Sequence, residues 1–347
     1  MGFRYIGSKA RIAKTILDYI GAPISDHATF VDVFSGTGVV ASSAADNGWR
    51  VKVNDTLRCA TVISISRLVS ASDATFAAIG GYQNACHALN ESLRPGSIWK
   101  LYSPASVNHC GIERKYFSIE NAMHIDGARR TISEWVSQAK ISPTEESLLL
   151  ASLVSAANNV ANIAGTYGCF LSKWTAQSKK RLEIQPLPLR DNRVVFSASN
   201  CDAFSLSTEI GDVAYLDPPY TKRQYSAYYH LLETIVEGDE PCVSGIAGLR
   251  HWKNNASVFC YKAKALNAMV ALIQRLKAQR CYISYSNEGH IKLDKLLASL
   301  SRFAHVEPIV LGEIGRYRPN QTASAGNDRV TEYLLKVEKF TEKQENE

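Results

Sequence analysis

Hydrophobic and polar positions along the chain alternate between two rhythms. Short apolar runs bounded by glycine, proline or acid predict strands at "TFVDVF" (29–34), "RVKVND" (50–55), "RVVFSAS" (193–199), "DVAYLD" (212–217), "RCYISYS" (280–286), "HVEPIVL" (305–311) and "TEYLLKV" (331–337). Between them, three-to-four-residue periodicity predicts helices, such as the alanine-rich "VVASSAADNG", "KALNAMVALIQRLKAQ" and "IKLDKLLASLSRF". The opening order, strand, glycine loop, helix, strand, predicts an α/β fold. Its sheet is Rossmann-like, with seven mostly parallel strands and a ligand crevice at their carboxyl ends.

From 60 to 190 the rhythm turns helical and irregular. "LRPGSIWKLYSPASVNHCG" reads as a long connection, and a helix beginning after Ser118 is predicted from its cap and its first-turn Glu120 and Asn121. The organisation expected is a catalytic domain made of 1–59 and 191–340, an inserted helical domain at 60–190, and a polar tail at 341–347.

Composition adds bounds. With 347 residues and 46% hydrophobic content, the chain can bury a sizeable core. The longest apolar stretch, "SLLLASLVSAANNVANIAG", holds three asparagines, and the amino terminus has no apolar signal core; neither a membrane partner nor secretion is expected, and the cytoplasm is the expected compartment. Eight singly scattered cysteines give no metal-site spacing and no disulfide framework. A net charge of +6, with cations clustered at 128–130, 179–181 and 221–223, leans toward an anionic partner.

Two stretches carry chemistry. In "DVFSGTG" the loop Ser35, Gly36, Thr37, Gly38 lets the backbone turn sharply and come close to a ligand, and Asp55 follows at about the 20-residue spacing of a ribose-binding acid. A third glycine and a phosphate-binding lysine are missing from the pattern. An adenosine ligand without pyrophosphate therefore fits, as in S-adenosyl-L-methionine. In "DPPY", Asp217, Pro218, Pro219 and Tyr220 end a strand. The prolines stop the ladder, so the Asp217 carboxylate and the Pro218 carbonyl can accept both hydrogens of an exocyclic amine while Tyr220 stacks on the base. His230 and Glu233 lie nearby, but holding an amine in this way needs neither an acid–base pair nor a metal, so packing or solvent exposure is expected for both.

"YIGSK", "DVFSGTG", "ND" and "DPPY" in this order resemble the Dam-like, D12-class DNA adenine-N6 methyltransferases in their alpha arrangement. The resemblance implies S-adenosyl-L-methionine as cofactor and duplex DNA as partner, with the target adenine flipped out of the stack. It assigns cofactor contacts to Tyr5, Gly7 and Lys9, to Asp32 and Phe34 beside the glycine loop, to Asp55 and to Asp202. It assigns catalysis to Asp217, Pro218, Pro219 and Tyr220, and base reading to the insert. Expected DNA contacts are Lys222, Arg223 and Tyr225 after the tetrad, Arg129 and Arg130, Asn158 and Asn162 on one helix face, and Lys173, Lys179, Lys180 and Arg181. A cognate restriction endonuclease is a further implied partner. Cytosine-N4 or RNA adenine methylation, and a catalytically silent DNA-binding protein, remain open on the same motifs.

Overall fold

The computed structural model describes residues 7–315 and 329–340. Its chain divides into a sheet unit, Ser8–Thr56 with Val194–Gln224 and Ala256–Glu347, and a helical unit, Met1–Gly7 with Leu57–Arg193 and Tyr225–Asn255.

The sheet unit contains all seven expected strands: β1 Thr29–Asp32, β2 Arg50–Asn54, β3 Phe196–Ser199, β4 Val213–Leu216, β5 Arg280–Ser286, β6 Ala304–Gly315 and β7 Arg329–Lys339. Their order is β3-β2-β1-β4-β5-β7-β6. The first five are parallel neighbours, and β7 runs antiparallel between β5 and β6. Chain order reverses at β1, which pairs with β2 on one side and β4 on the other, so a crevice opens where the loops after β1 and β4 diverge.

Buried on both faces, β4 reads as an unbroken apolar run, as a central parallel strand must. Alternation separates its two faces. Ala214 and Leu216 join Cys281, Ile283, Leu335 and Val337 in a core closed by helices Lys262–Arg275 and Leu293–Leu300. Tyr215 points the other way, where its hydroxyl meets Ser284 Oγ at 2.7 Å. Helix Val39–Asp46 packs on β1, β2 and helix Ala13–Ile20.

The helical unit is built around Pro143–Val160, a helix buried on nearly every side. That explains why the longest apolar stretch lies here: a helix that is apolar all round belongs inside a bundle. Its start carries a capping box, with Ser142 Oγ accepting from Glu145 N and the Glu145 carboxylate accepting from Ser142 N at 2.8 Å. The helix expected after Ser118 is Ile119–Ser137, and Ser118 Oγ accepts from Asn121 N. No helix among the described residues is long and apolar enough to cross a membrane.

Two features depart from expectation. Helix Pro143–Val160 stops at Val160, so Asn162 lies beyond its end and does not share a helix face with Asn158. Both asparagines are buried.

Candidate active site

Asp217 follows β4 directly, where Pro218 and Pro219 have no N–H to continue the ladder. Period-two alternation puts Asp217 on the face of Tyr215 and Ser284. Across the sheet, Ser286 at the end of β5 pairs in register with Glu332 on β7.

Lys9 lies among these groups. Its ammonium donates to Glu332 Oε2 at 3.1 Å and to Tyr220 Oη at 3.3 Å, and it stands 3.5 Å from Asp217 Oδ1. It also sits 5.4 Å above the Tyr220 ring, which meets Tyr285 edge-on at 5.5 Å. Burial pulls the Lys9 pKa down, but Asp217, Tyr220 and Glu332 outweigh it and hold the group well above its ordinary value. Burial pushes Asp217 up to about 6, Lys9 pulls it down, and Glu332 pushes it up again. Burial also raises Tyr220, so its hydroxyl stays neutral near pH 7.

The loop after β1 turns as the glycines predict, with Gly36 at φ 51° and Gly38 at φ 69°. Ser35 N donates to Asn54 O at 2.9 Å and Gly36 N to Asp55 Oδ2 at 3.0 Å, fixing this loop against the end of β2. Asp32 is 2% exposed and accepts from the backbone N–H groups of Phe34 and Ala41, but its Oδ1 has no hydrogen-bond partner. Burial, then the charges of Asp217 and Asp55, raise its pKa well above the carboxylate range. A buried acceptor with no partner is costly unless a ligand's donor meets it. Phe34 packs edge-on against Phe259 at 5.4 Å, and Phe204 stacks on the same ring at 6.2 Å, giving the crevice a flat apolar wall.

Asp202 is exposed, and its Oδ1 accepts from Phe204 N at 2.8 Å, capping the turn after β3. Tyr5 lies outside the described residues. Gly7, at φ 77°, runs so close to Tyr225 that a Cβ would stand 2.9 Å from the Tyr225 hydroxyl.

Three residues escaped the sequence reading. Asn54 is buried and ties three loops together, its amide donating to Val33 O and Cys201 O while its oxygen accepts from Ser199 Oγ. Phe259 builds the aromatic wall. Glu332 enters the site only through strand pairing, and no local signal marks it.

Among the expected DNA contacts, Lys222, Arg223, Arg130, Lys173, Lys179, Lys180 and Arg181 are exposed and Tyr225 is half-buried. Three expectations are corrected. The Arg129 guanidinium donates to the carbonyls of Ile235, Val236 and Glu237, closing the carboxyl end of helix His230–Glu237. Asn158 Oδ1 accepts from the buried Tyr167 hydroxyl at 3.1 Å. Asn162 is 0% exposed, its amide donating to Leu171 O and its oxygen accepting from Thr175 N and Ser178 Oγ. All three are engaged inside the protein rather than offered to a base. Glu233, expected to pack or to face solvent, is buried and does more: it accepts from Arg58 N and Cys59 N, capping helix Arg58–Ser66. Buried His230 bonds Tyr167 O through Nε2, and burial lowers its pKa to about 4.

Known proteins resemble this chain over most of its length. The family model for D12 class N6 adenine-specific DNA methyltransferase matches residues 5–298. The type II methyltransferase M.FokI of Planomicrobium okeanokoites is 35% identical over 294 residues, which are 82% of this chain and 45% of that protein. Modification methylase LlaI of Lactococcus lactis subsp. lactis is 34% identical over 329 residues, 92% of this chain and 51% of its own. The chain thus spans about half the length of these two. Type II methyltransferase M.NlaIII of Neisseria lactamica is 33% identical over 352 residues, 96% of this chain and 99% of its own. With most of its length matched, and DPPY standing at the switch point of a sheet in this order, the chain belongs to the D12 class N6 adenine-specific DNA methyltransferase family.

Proposed function

We propose that the chain methylates the exocyclic N6 of adenine in duplex DNA, using S-adenosyl-L-methionine. The observation that carries this is Asp217-Pro218-Pro219-Tyr220 at the end of β4, beside the β1 loop. The residues suit the cofactor: the partnerless Asp32 Oδ1 is an acceptor for the ammonium of an amino-acid moiety, the positive-φ glycines admit a ligand close to the backbone, and Phe34, Phe204 and Phe259 offer an apolar wall. When bound, the cofactor supplies an electrophilic methyl group on a sulfonium.

An adenine inside a duplex cannot reach such a crevice and has to be flipped, at a cost of about a few kcal/mol. Ionised Asp217 and the Pro218 carbonyl accept the two N–H donors of the amine, favouring a pyramidal nitrogen whose lone pair faces the incoming carbon. This is catalysis by placement and charge, and the displaced proton leaves to water. Tyr220, neutral and braced by Lys9 and Tyr285, supports the base.

Residues 60–190 act as the target-recognition part, and the exposed Lys222 and Arg223 contact flanking phosphates. The type II and modification methylases among the relatives favour a modification role alongside a cognate restriction endonuclease. Incubation with labelled S-adenosyl-L-methionine and unmethylated duplex DNA, then nucleoside mass spectrometry, should give N6-methyladenine. Label in N4-methylcytosine, or in RNA alone, overturns the assignment. Asp217→Ala should abolish turnover while retaining cofactor binding.

A further inference from the structure

Glu332 lies beyond the residues matched by the family model, yet it contributes a carboxylate to the site. The Lys9 ammonium carries three N–H donors, and three acceptors surround it: Glu332 at 3.1 Å, Tyr220 at 3.3 Å and Asp217 at 3.5 Å. The shortest contact is to Glu332, and the longest is to the carboxylate that faces the chemistry. Lys9 is 7% exposed and Glu332 8% exposed, so water screens the arrangement little. Were Glu332 neutral, the ammonium would close fully on Asp217, and a carboxylate in a tight ion pair is a weaker acceptor for anything else.

We propose that Glu332 is a positioning residue for methyl transfer: by sharing the Lys9 ammonium, it keeps that charge from closing on Asp217 and leaves the Asp217 carboxylate able to accept from the substrate amine. This rests on reading Asp217–Tyr220 as the loop that holds the amine. The groups facing Asp217 are Lys9, Glu332, Tyr220, Tyr215 and Asp32. Of these, Glu332 is the one whose removal both takes away a like charge and releases a countercharge. The two effects have the same sign at Asp217. Ser286, opposite Glu332 in the ladder, keeps its buried Oγ without a partner, so no second donor from that position holds Glu332 in place.

The test uses the full chain. Carboxyl 13C NMR, with the Asp217 signal assigned by Asp217→Asn, follows its titration in the wild type and in Glu332→Gln. The Asp217 midpoint should fall in the variant. With S-adenosyl-L-methionine and unmethylated duplex DNA, kcat should drop by about 10- to 100-fold, as a displaced reacting group costs, while KM for the cofactor stays put. Glu332→Asp, which keeps the charge, should recover part of both and stands in if Glu332→Gln does not fold. In a Lys9→Met background, adding Glu332→Gln removes only the direct like charge at Asp217, so the further fall in kcat should be much smaller than in the wild type. An unmoved midpoint, or a full additional loss in that background, overturns the proposal. A wild-type chain that methylates no adenine sinks the proposed function and the transfer role with it, while a moved midpoint still establishes the charge sharing.

Discussion

Asp217 meets opposing influences: burial favours its protonated form and Lys9 its ionised form, and the balance leaves it at about 6. To accept an N–H of the amine beside the Pro218 carbonyl, Asp217 has to be ionised, so kcat/KM for DNA should fall as pH drops through about 6, which a pH–rate profile at subsaturating DNA would read. The same shift affects stability with the opposite sense. Because the folded state binds this proton more tightly than the unfolded chain, Asp217 stabilises below the ordinary carboxylate range, and that contribution is lost as pH rises through about 6. Calorimetry should show Asp217→Asn melting above the wild type at pH 8, with the difference shrinking toward pH 4. A difference that is flat in pH would contradict the assignment. The tetrad and the glycine loop were legible because each is a local string whose residue types have few other uses. Glu332 and Asn54 were not, since both act through neighbours brought in by strand pairing, and a lone acid or amide at a strand end is usually a surface group.

At the scale of elements, caps and close approaches decide what the helices do. Helix Ile119–Ser137 carries Gly127 mid-length, which by propensity alone is about 1 kcal/mol worse than alanine. A Cβ there would stand 2.6 Å from the Ser92 carbonyl oxygen, so the crossing of chains outweighs propensity. Gly127→Ala should lower stability by about 1–3 kcal/mol in denaturant titration. Arg129 is the second case. Removing its bonds to the end of helix His230–Glu237 in Arg129→Met should cost about 1.5–3 kcal/mol. Affinity for DNA should keep its salt dependence. From sequence, Arg129 was indistinguishable from Arg130: both are cations on one helix, and only the position of a second helix, remote in the chain, turns one inward. Strand positions were legible from apolar runs and Ser118 from capping chemistry. The insertion of β7 between β5 and β6 was not, because antiparallel pairing leaves no mark in a pattern of buried residues.

For the molecule as a whole, the excess of +6 is carried at exposed positions that include Lys173, Lys179, Lys180, Arg181, Lys222 and Arg223. Each of these that meets a phosphate should contribute about 0.9 to the slope of log affinity against log salt. Arg223→Met should reduce that slope by roughly this amount without changing which sequence is methylated, whereas Arg129→Met should leave it unchanged; fluorescence anisotropy with duplex DNA over a salt series separates the two.

Lys9 and Glu332 are 323 positions apart along the chain, and strand β1 meets β4 through residues 183 apart. During translation at about 5–20 residues per second, the amino-terminal strands wait on the order of 15–60 s before the last charge of the site is made. Only between the synthesis of Asp217 and that of Glu332, on the order of 6–23 s at that rate, can Lys9 meet Asp217 without its competitor. Under the proposed charge sharing, activity should switch on only once strand β7 has paired and delivered Glu332 to the site, rather than grow in step with chain length.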